Sequence, residues 1–151
     1  PRPYYVSDAT TADFVACLRR MRAAGSAAAD VARRIGQAAA GGRVILYTHE
    51  FYCSPLSYHQ LPADLADELG RMSLTVMKGD LNYRRLVGDL HWPATTPFAD
   101  TTSYFPSPVV ALRTLKSDVI VGLDPATVSH LDSCDPAWRT NGSHGLVQAR
   151  L

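Results

Sequence analysis

The stretch Lys78-Gly79-Asp80-Leu81-Asn82-Tyr83-Arg84-Arg85-Leu86 decides how this chain is read, because it sets hydrogen-bonding and charged side chains where a strand gives way to a helix. The apolar run Leu74-Thr75-Val76-Met77 before it predicts a buried strand, Gly79 permits the turn, and Asp80 is placed to cap a helix beginning at Leu81. A helix start offers unpaired N–H groups and the positive end of a dipole, both suited to a phosphate.

Two further segments extend this reading. Tyr4-Tyr5-Val6-Ser7-Asp8 reads as a short strand ending in a carboxylate, and Val109-Val110-Ala111-Leu112-Arg113-Thr114-Leu115-Lys116 as a strand ending in two cations. Ligands of open parallel sheets collect beyond the carboxyl ends of the strands. Three polar strand ends are therefore expected to meet at one crevice, with carboxylates for a metal and Arg and Lys for an anion.

The rest of the chain supplies the elements such a sheet needs. Thr10 or Thr11 caps a helix running to about residue 24, with Phe14, Val15, Leu18 and Met21 at helical spacing, and Gly25-Ser26 ends it. An alanine-rich helix follows over 27–40, closed by Gly41-Gly42. Val44-Ile45-Leu46-Tyr47 is expected to be the next buried strand. An irregular segment carrying His49, Glu50, Tyr52, Cys53, Tyr58 and His59 leads to Pro62, which opens a short helix over 63–70.

The segment 91–108 holds Pro93, Pro97, Pro106 and Pro108 among Trp92, Phe98, Tyr104 and Phe105, and reads as an ordered loop with at most a short helix. Strands are expected over 109–112 and 119–121, a helix over 125–131, and a final edge strand over 145–149. Alternating strands and helices argue for an α/β domain around a mainly parallel sheet.

At 151 residues and 46% apolar composition, the chain is the size of one domain with enough apolar surface for one core. A formal net charge of +1, from 15 basic and 14 acidic residues, gives no global field favouring nucleic acid or an acidic membrane. Anion binding must come from a local cluster.

Cys17, Cys53 and Cys134 form neither a disulfide framework nor a Cys-x-x-Cys site, which points to a reducing, cytoplasmic setting. No run approaches the roughly 20 apolar residues that span a bilayer. The first residues, Pro1-Arg2-Pro3, lack both an initiator Met and the layout of a signal peptide, and read as the middle of a longer protein.

Several chemistries are disfavoured. His49, His59, His91, His130 and His144 show no His-Glu-x-x-His spacing, and His49-Glu50 is too little for a zinc site. Ser7, Ser54 and Ser57 sit in no nucleophile-elbow pattern. Neither a Gly-x-x-x-x-Gly-Lys loop nor a Gly-x-Gly-x-x-Gly run is present.

Tyr5-Val6-Ser7-Asp8, the 78–86 run with Gly88-Asp89 and Trp92-Pro93, the Thr96-Pro97-Phe98 turn, and Arg113-Thr114-Leu115-Lys116 together resemble the damage-control phosphatases. The closer likeness is to the subfamily with an Arg-Thr-x-Lys motif, also called acidic residue methyltransferase-like. The resemblance implies a Rossmann-like three-layer sandwich and metal-dependent hydrolysis of small phosphorylated metabolites such as fructose 1-phosphate and fructose 6-phosphate. It implies Mn²⁺ or Ni²⁺ as the metal, with Co²⁺ as a further choice. It also implies an upstream portion whose Asp-Asn pair binds the metal with the carboxylate matched by Asp8. These 151 residues contain no Asp-Asn pair. They are accordingly expected to form the carboxyl-terminal α/β part of an incomplete domain, needing the upstream part to complete the site.

Residue by residue, each role has a plainer counterpart. Asp8 is either a metal ligand and catalytic group or a cap for the Thr10 helix, with Ser7 a substrate-contacting neighbour or a support for it. Asp80 and Asn82 are either a capping pair or, as the resemblance implies, part of a phosphosugar site together with Tyr83 and Arg84. Tyr83 can instead be core. Arg84 can hold phosphate oxygens in a bidentate way. Lys116 is either a solvated charge or, by resemblance, the catalytic group that meets the substrate phosphate. Arg113 reads mainly as a brace for that loop, and Thr114 as a hydrogen-bond donor.

Two other activities stand beside hydrolysis. One is carboxyl methylation of proteins, which the subfamily name suggests but no glycine-rich donor site supports. The other is a remnant that binds a phosphosugar or a partner without turnover.

Overall fold

The computed structural model describes residues 9–151. The expected strand at 4–8, with Ser7 and Asp8, lies outside the described residues. The chain is an α/β protein that divides into two compact units, Pro1–Pro55 and Leu56–Leu151.

In the first unit, α1 (Thr11–Ala23) and α2 (Ser26–Ala40) pack on each other. Thr10 opens α1 with a reciprocal cap: its hydroxyl accepts from the Asp13 N–H at 3.2 Å, and the Asp13 carboxylate accepts from the Thr10 N–H at 2.9 Å. The Thr10 hydroxyl also donates to the Asp13 carboxylate at 2.7 Å, and this bond foremost, with that from the Thr10 N–H, holds the Asp13 carboxyl below its ordinary range. Ala32 of α2 is fully buried, while Phe14, Leu18, Met21 and Ile35 are half-buried.

The segment 44–47 is not a strand. The chain turns back on the end of α2, with Arg43 and Val44 N–H groups donating to the Ala38 carbonyl at 2.8 and 3.2 Å, and leaves Ile45 78% exposed. A four-residue apolar run takes its conformation from its neighbours, and among the described residues none offers it a ladder.

The second unit carries the sheet. Its elements are α3 (Ala63–Gly70), β1 (Thr75–Lys78), α4 (Asp80–Leu86), α5 (Phe98–Thr101), β2 (Val109–Thr114), α6 (Pro125–Cys134) and β3 (Gly145–Arg150). The strand order is β1-β2-β3. Strands β1 and β2 run parallel, with Lys78 opposite Leu112, whereas β2 and β3 run antiparallel, with Thr114 opposite Gly145. Among the described residues the sheet is thus mixed.

Burial alternates along β2, with Val109, Ala111 and Arg113 pointing into the unit. The same face continues through Leu115 into a cluster with Ile120 and Trp138, backed by Leu123, Leu131 and Leu146. Tyr58, Leu65, Tyr83, Leu86 and Phe105 are buried as well, with Tyr58 edge-on to Phe105.

Residues 119–121 are buried but form no strand. Backbone groups of Val119 and Val121 are met by side chains instead of a ladder. The Val119 carbonyl accepts from Arg113 Nη1, the Val121 carbonyl accepts from Gln148 Nε2 at 2.7 Å, and the Val121 N–H donates to the Tyr83 hydroxyl at 3.2 Å. No helix among the described residues is long and apolar enough to cross a membrane.

Candidate functional site

The parallel pairing of β1 and β2 brings their carboxyl ends to the same edge of the sheet. At that edge the Gly79 N–H donates to the Leu112 carbonyl at 2.8 Å, and the chain turns into α4 with Gly79 at φ +100°, a conformation suited to glycine. Asp80 is the first helical residue and not the cap, which corrects the reading of it as a capping group. Its carboxylate has a stronger partner across the sheet edge.

That partner is Arg113. Its Nε donates to Asp80 Oδ1 at 2.8 Å, its Nη1 to the Val119 carbonyl, and its Nη2 to the Ser117 carbonyl and hydroxyl at 2.8 and 2.6 Å. The Ser117 hydroxyl also donates to Asp80 Oδ1, at 3.2 Å. The Arg113 side chain is wholly buried and Asp80 retains 10% exposure. A buried Arg with each guanidinium nitrogen engaged is a fixed strut, so Arg113 holds the 115–119 segment against the start of α4.

The same segment is tied from its outer side. Asp118 forms an ion pair with Arg139 at 3.3 Å, and Arg139 also pairs with Asp132 and lies over the Trp138 ring at 4.3 Å. The hydrogen bond from Arg139 is the leading reason the Asp132 carboxyl sits below its ordinary range. Between these anchors, Lys116 is exposed two residues past the end of β2, and no hydrogen bond or ion pair holds its ammonium among the described residues. Thr114 closes β2 and is likewise exposed.

Helix α4 distributes its polar side chains in three ways. Asn82 accepts from the Tyr58 hydroxyl at 3.0 Å and donates to the Lys78 carbonyl at 3.0 Å, which fixes its amide beside the strand end. Tyr83 is only 1% exposed, stacks on Phe98, carries the Arg113 guanidinium over its ring at 4.6 Å, and donates to Gln148 at 2.9 Å. Burial foremost pushes its phenol pKa up. Tyr83 therefore belongs to the core, the alternative that the sequence left open. Arg84 is half-buried, with Nε and Nη2 on the two oxygens of Asp89 at 2.7 and 2.8 Å and Nη1 4.0 Å from Asp80 Oδ2.

The structure thus brings Asp80, Arg84 and Arg113 into one linked ionic group, with Asn82 on the same helix turn and Lys116 and Thr114 on the adjoining strand end. Ser7 and Asp8 lie outside the described residues. Among the described residues no group of three or more His, Cys, Asp or Glu side chains is placed to hold a metal. Ser117, directly after Lys116, is a participant that the sequence reading did not single out, and Asp89 entered it only within the Gly88-Asp89 pair, with no role given.

Comparison with known proteins gives a consistent result. The family model described as the damage-control phosphatase ARMT1-like domain matches residues 1–131. Proteins named damage-control phosphatase ARMT1 are 37% identical in Mus musculus and 36% identical in Rattus norvegicus, in each case over 151 aligned residues that take in 97% of this chain. The Homo sapiens protein of that name is 34% identical over 155 aligned residues. The chain spans 34% of the length of each of these relatives.

Proposed function

The chain belongs to the ARMT1-like damage-control phosphatase family, and from that membership we propose that it contributes the anion-binding half of a metal-dependent phosphatase for small phosphorylated metabolites. Fructose 1-phosphate and fructose 6-phosphate are the proposed substrates, and a Rossmann-like three-layer sandwich the proposed complete fold. The observation that carries the reading is the strut from Arg113 to Asp80 and Ser117, which fixes the segment bearing Lys116 beside α4.

A phosphoryl group entering at this strand end meets cations already in place. Lys116 supplies an exposed ammonium from a segment anchored on two sides, so little reorganisation is needed as charge builds on the transferred oxygens. Arg84 supplies guanidinium hydrogen bonds in a fixed orientation. Asn82, with its amide set by Tyr58 and Lys78, is the proposed partner for sugar hydroxyls, with Thr114 as a further donor. Asp80 and Arg113 act behind these groups as supports.

The metal of this proposal is Mn²⁺ or Ni²⁺, with Co²⁺ as a further choice. The described residues do not fit it by themselves, since Asp80 is engaged by Arg113 and no donor cluster is present among them. Its proposed ligands are Asp8 and an Asp-Asn pair from an upstream part of the protein. The three cysteines are free, in keeping with the proposed cytoplasmic setting.

The test is phosphate release by the native-length protein from fructose 1-phosphate and fructose 6-phosphate, run beside calorimetry with the same compounds. Release from either supports the enzyme. Binding without release would replace it with a phosphosugar-binding protein, and transfer of a labelled methyl group to protein carboxylates would replace it with a methyltransferase.

A further inference from the structure

We infer that Asp89 is a positioning residue for the anion site: it grips one edge of the Arg84 guanidinium so that Nη1 is turned toward the strand ends. The inference rests on the phosphatase reading above and adds to it a residue that does not itself touch substrate.

The grip is bidentate and charge-assisted, from Nε and Nη2 to the two carboxylate oxygens at 2.7 and 2.8 Å. Because that edge is committed to Asp89, the remaining nitrogen has a defined direction. Nη1 lies 4.0 Å from Asp80 Oδ2, at the start of α4 where β1 ends.

The carboxylate is delivered by a built turn. Gly88 has φ +86° and Asp89 has φ +55°, and the Asp89 N–H donates back to the Arg84 carbonyl at 2.7 Å. A left-handed backbone at a residue other than glycine is uncommon and marks a place where the surroundings impose it. Stability gives little reason for the arrangement, because the Asp89 side chain is 46% exposed and that of Arg84 35%, and exposed ion pairs contribute little. What the turn does secure is the orientation of one guanidinium.

The alternative is that Asp89 holds the place of a phosphate and gives up Arg84 when the anion arrives. The two differ in sign. A positioning residue strengthens anion binding, whereas a placeholder competes with it.

The experiment is calorimetric titration of inorganic phosphate into the native-length protein and its Asp89→Asn variant, with thermal melting of both. Asn keeps the shape of Asp and tolerates the left-handed backbone, so the turn persists while the charge is lost. If that variant does not fold, Asp89→Gly removes the carboxylate and relaxes the turn at once. The expected result is a phosphate Kd raised roughly tenfold or more, the scale of a charged hydrogen bond, with a melting temperature close to wild type. An equal or lower Kd in the folded variant overturns the inference and leaves the phosphatase reading standing. Absence of phosphate binding by the wild type, with no release from the sugar phosphates, removes that reading and this inference with it.

Discussion

Arg113 and Asp80, 33 positions apart in the chain, meet at 2.8 Å where β2 ends and α4 begins. The contact ties the strand that leads to Lys116 to the helix that carries Asn82 and Arg84. It also explains why both residues are committed inward: an ion pair this far from solvent is satisfied only when its remaining hydrogen bonds are made, and Ser117 and Val119 make them.

Breaking that pair has a large expected cost. Arg113→Met leaves the Asp80 carboxylate with 10% exposure and no cation at Oδ1, and strips the carbonyls of Ser117 and Val119 of their donor. Loss of roughly 3–5 kcal/mol is predicted, measured by denaturant unfolding. A loss under about 1 kcal/mol, the range of surface pairs, would remove the strut from the account.

Lys116→Ala is predicted to show the reverse profile. The side chain is exposed and outside the core, so stability should stay within about 0.5 kcal/mol of wild type. Turnover of the proposed substrate should fall by a factor on the order of a hundred, as for loss of one preorganised charge stabiliser. Wild-type turnover in this variant contradicts the role given to Lys116.

Tyr83→Phe separates core from site. Its hydroxyl serves the buried Val121 N–H and the half-buried Gln148, and removing it is predicted to cost about 1–3 kcal/mol of stability. An unchanged unfolding midpoint would mean that the hydroxyl is not serving these groups.

His59 gives the fold a dependence on pH. Its ring stacks on Tyr104 with centroids 3.7 Å apart, and burial lowers its pKa below the ordinary 6.5. The folded state therefore binds the proton less readily than the unfolded chain. The contribution is fully present above 6.5, where His59 is neutral in both states, and is lost as pH falls from there through the folded-state value. Stability curves measured between pH 7.5 and 5 should converge for wild type and His59→Gln at the lower end, and parallel curves would contradict this.

The helices were legible because their signals are local. Thr10 with Asp13, Gly25 between α1 and α2, and Pro62 before α3 each lie within a few residues of what they control. Segments 44–47 and 119–121 misled for a shared reason, since an apolar run becomes a strand only when a neighbour offers a ladder. Residues 119–121 instead receive side chains from Tyr83, Arg113 and Gln148, which stand 27 or more positions away or on another element. The inward role of Asp80 was hidden in the same way, because its partner Arg113 is distant in sequence and a first-turn aspartate invites a capping explanation. The burial of Arg113 was written in the alternation Val109, Ala111, Arg113, had the strand been carried two residues past Leu112.

Phosphate release from fructose 1-phosphate by the native-length protein is the decisive measurement, followed in one sample as supplied with Mn²⁺, after excess chelator, and after the metal is restored. Release is expected to stop on chelation and to resume with metal. Release indifferent to the chelator would contradict the metal dependence, and no release at any stage, with the wider sugar phosphates equally inert, would contradict the enzyme itself.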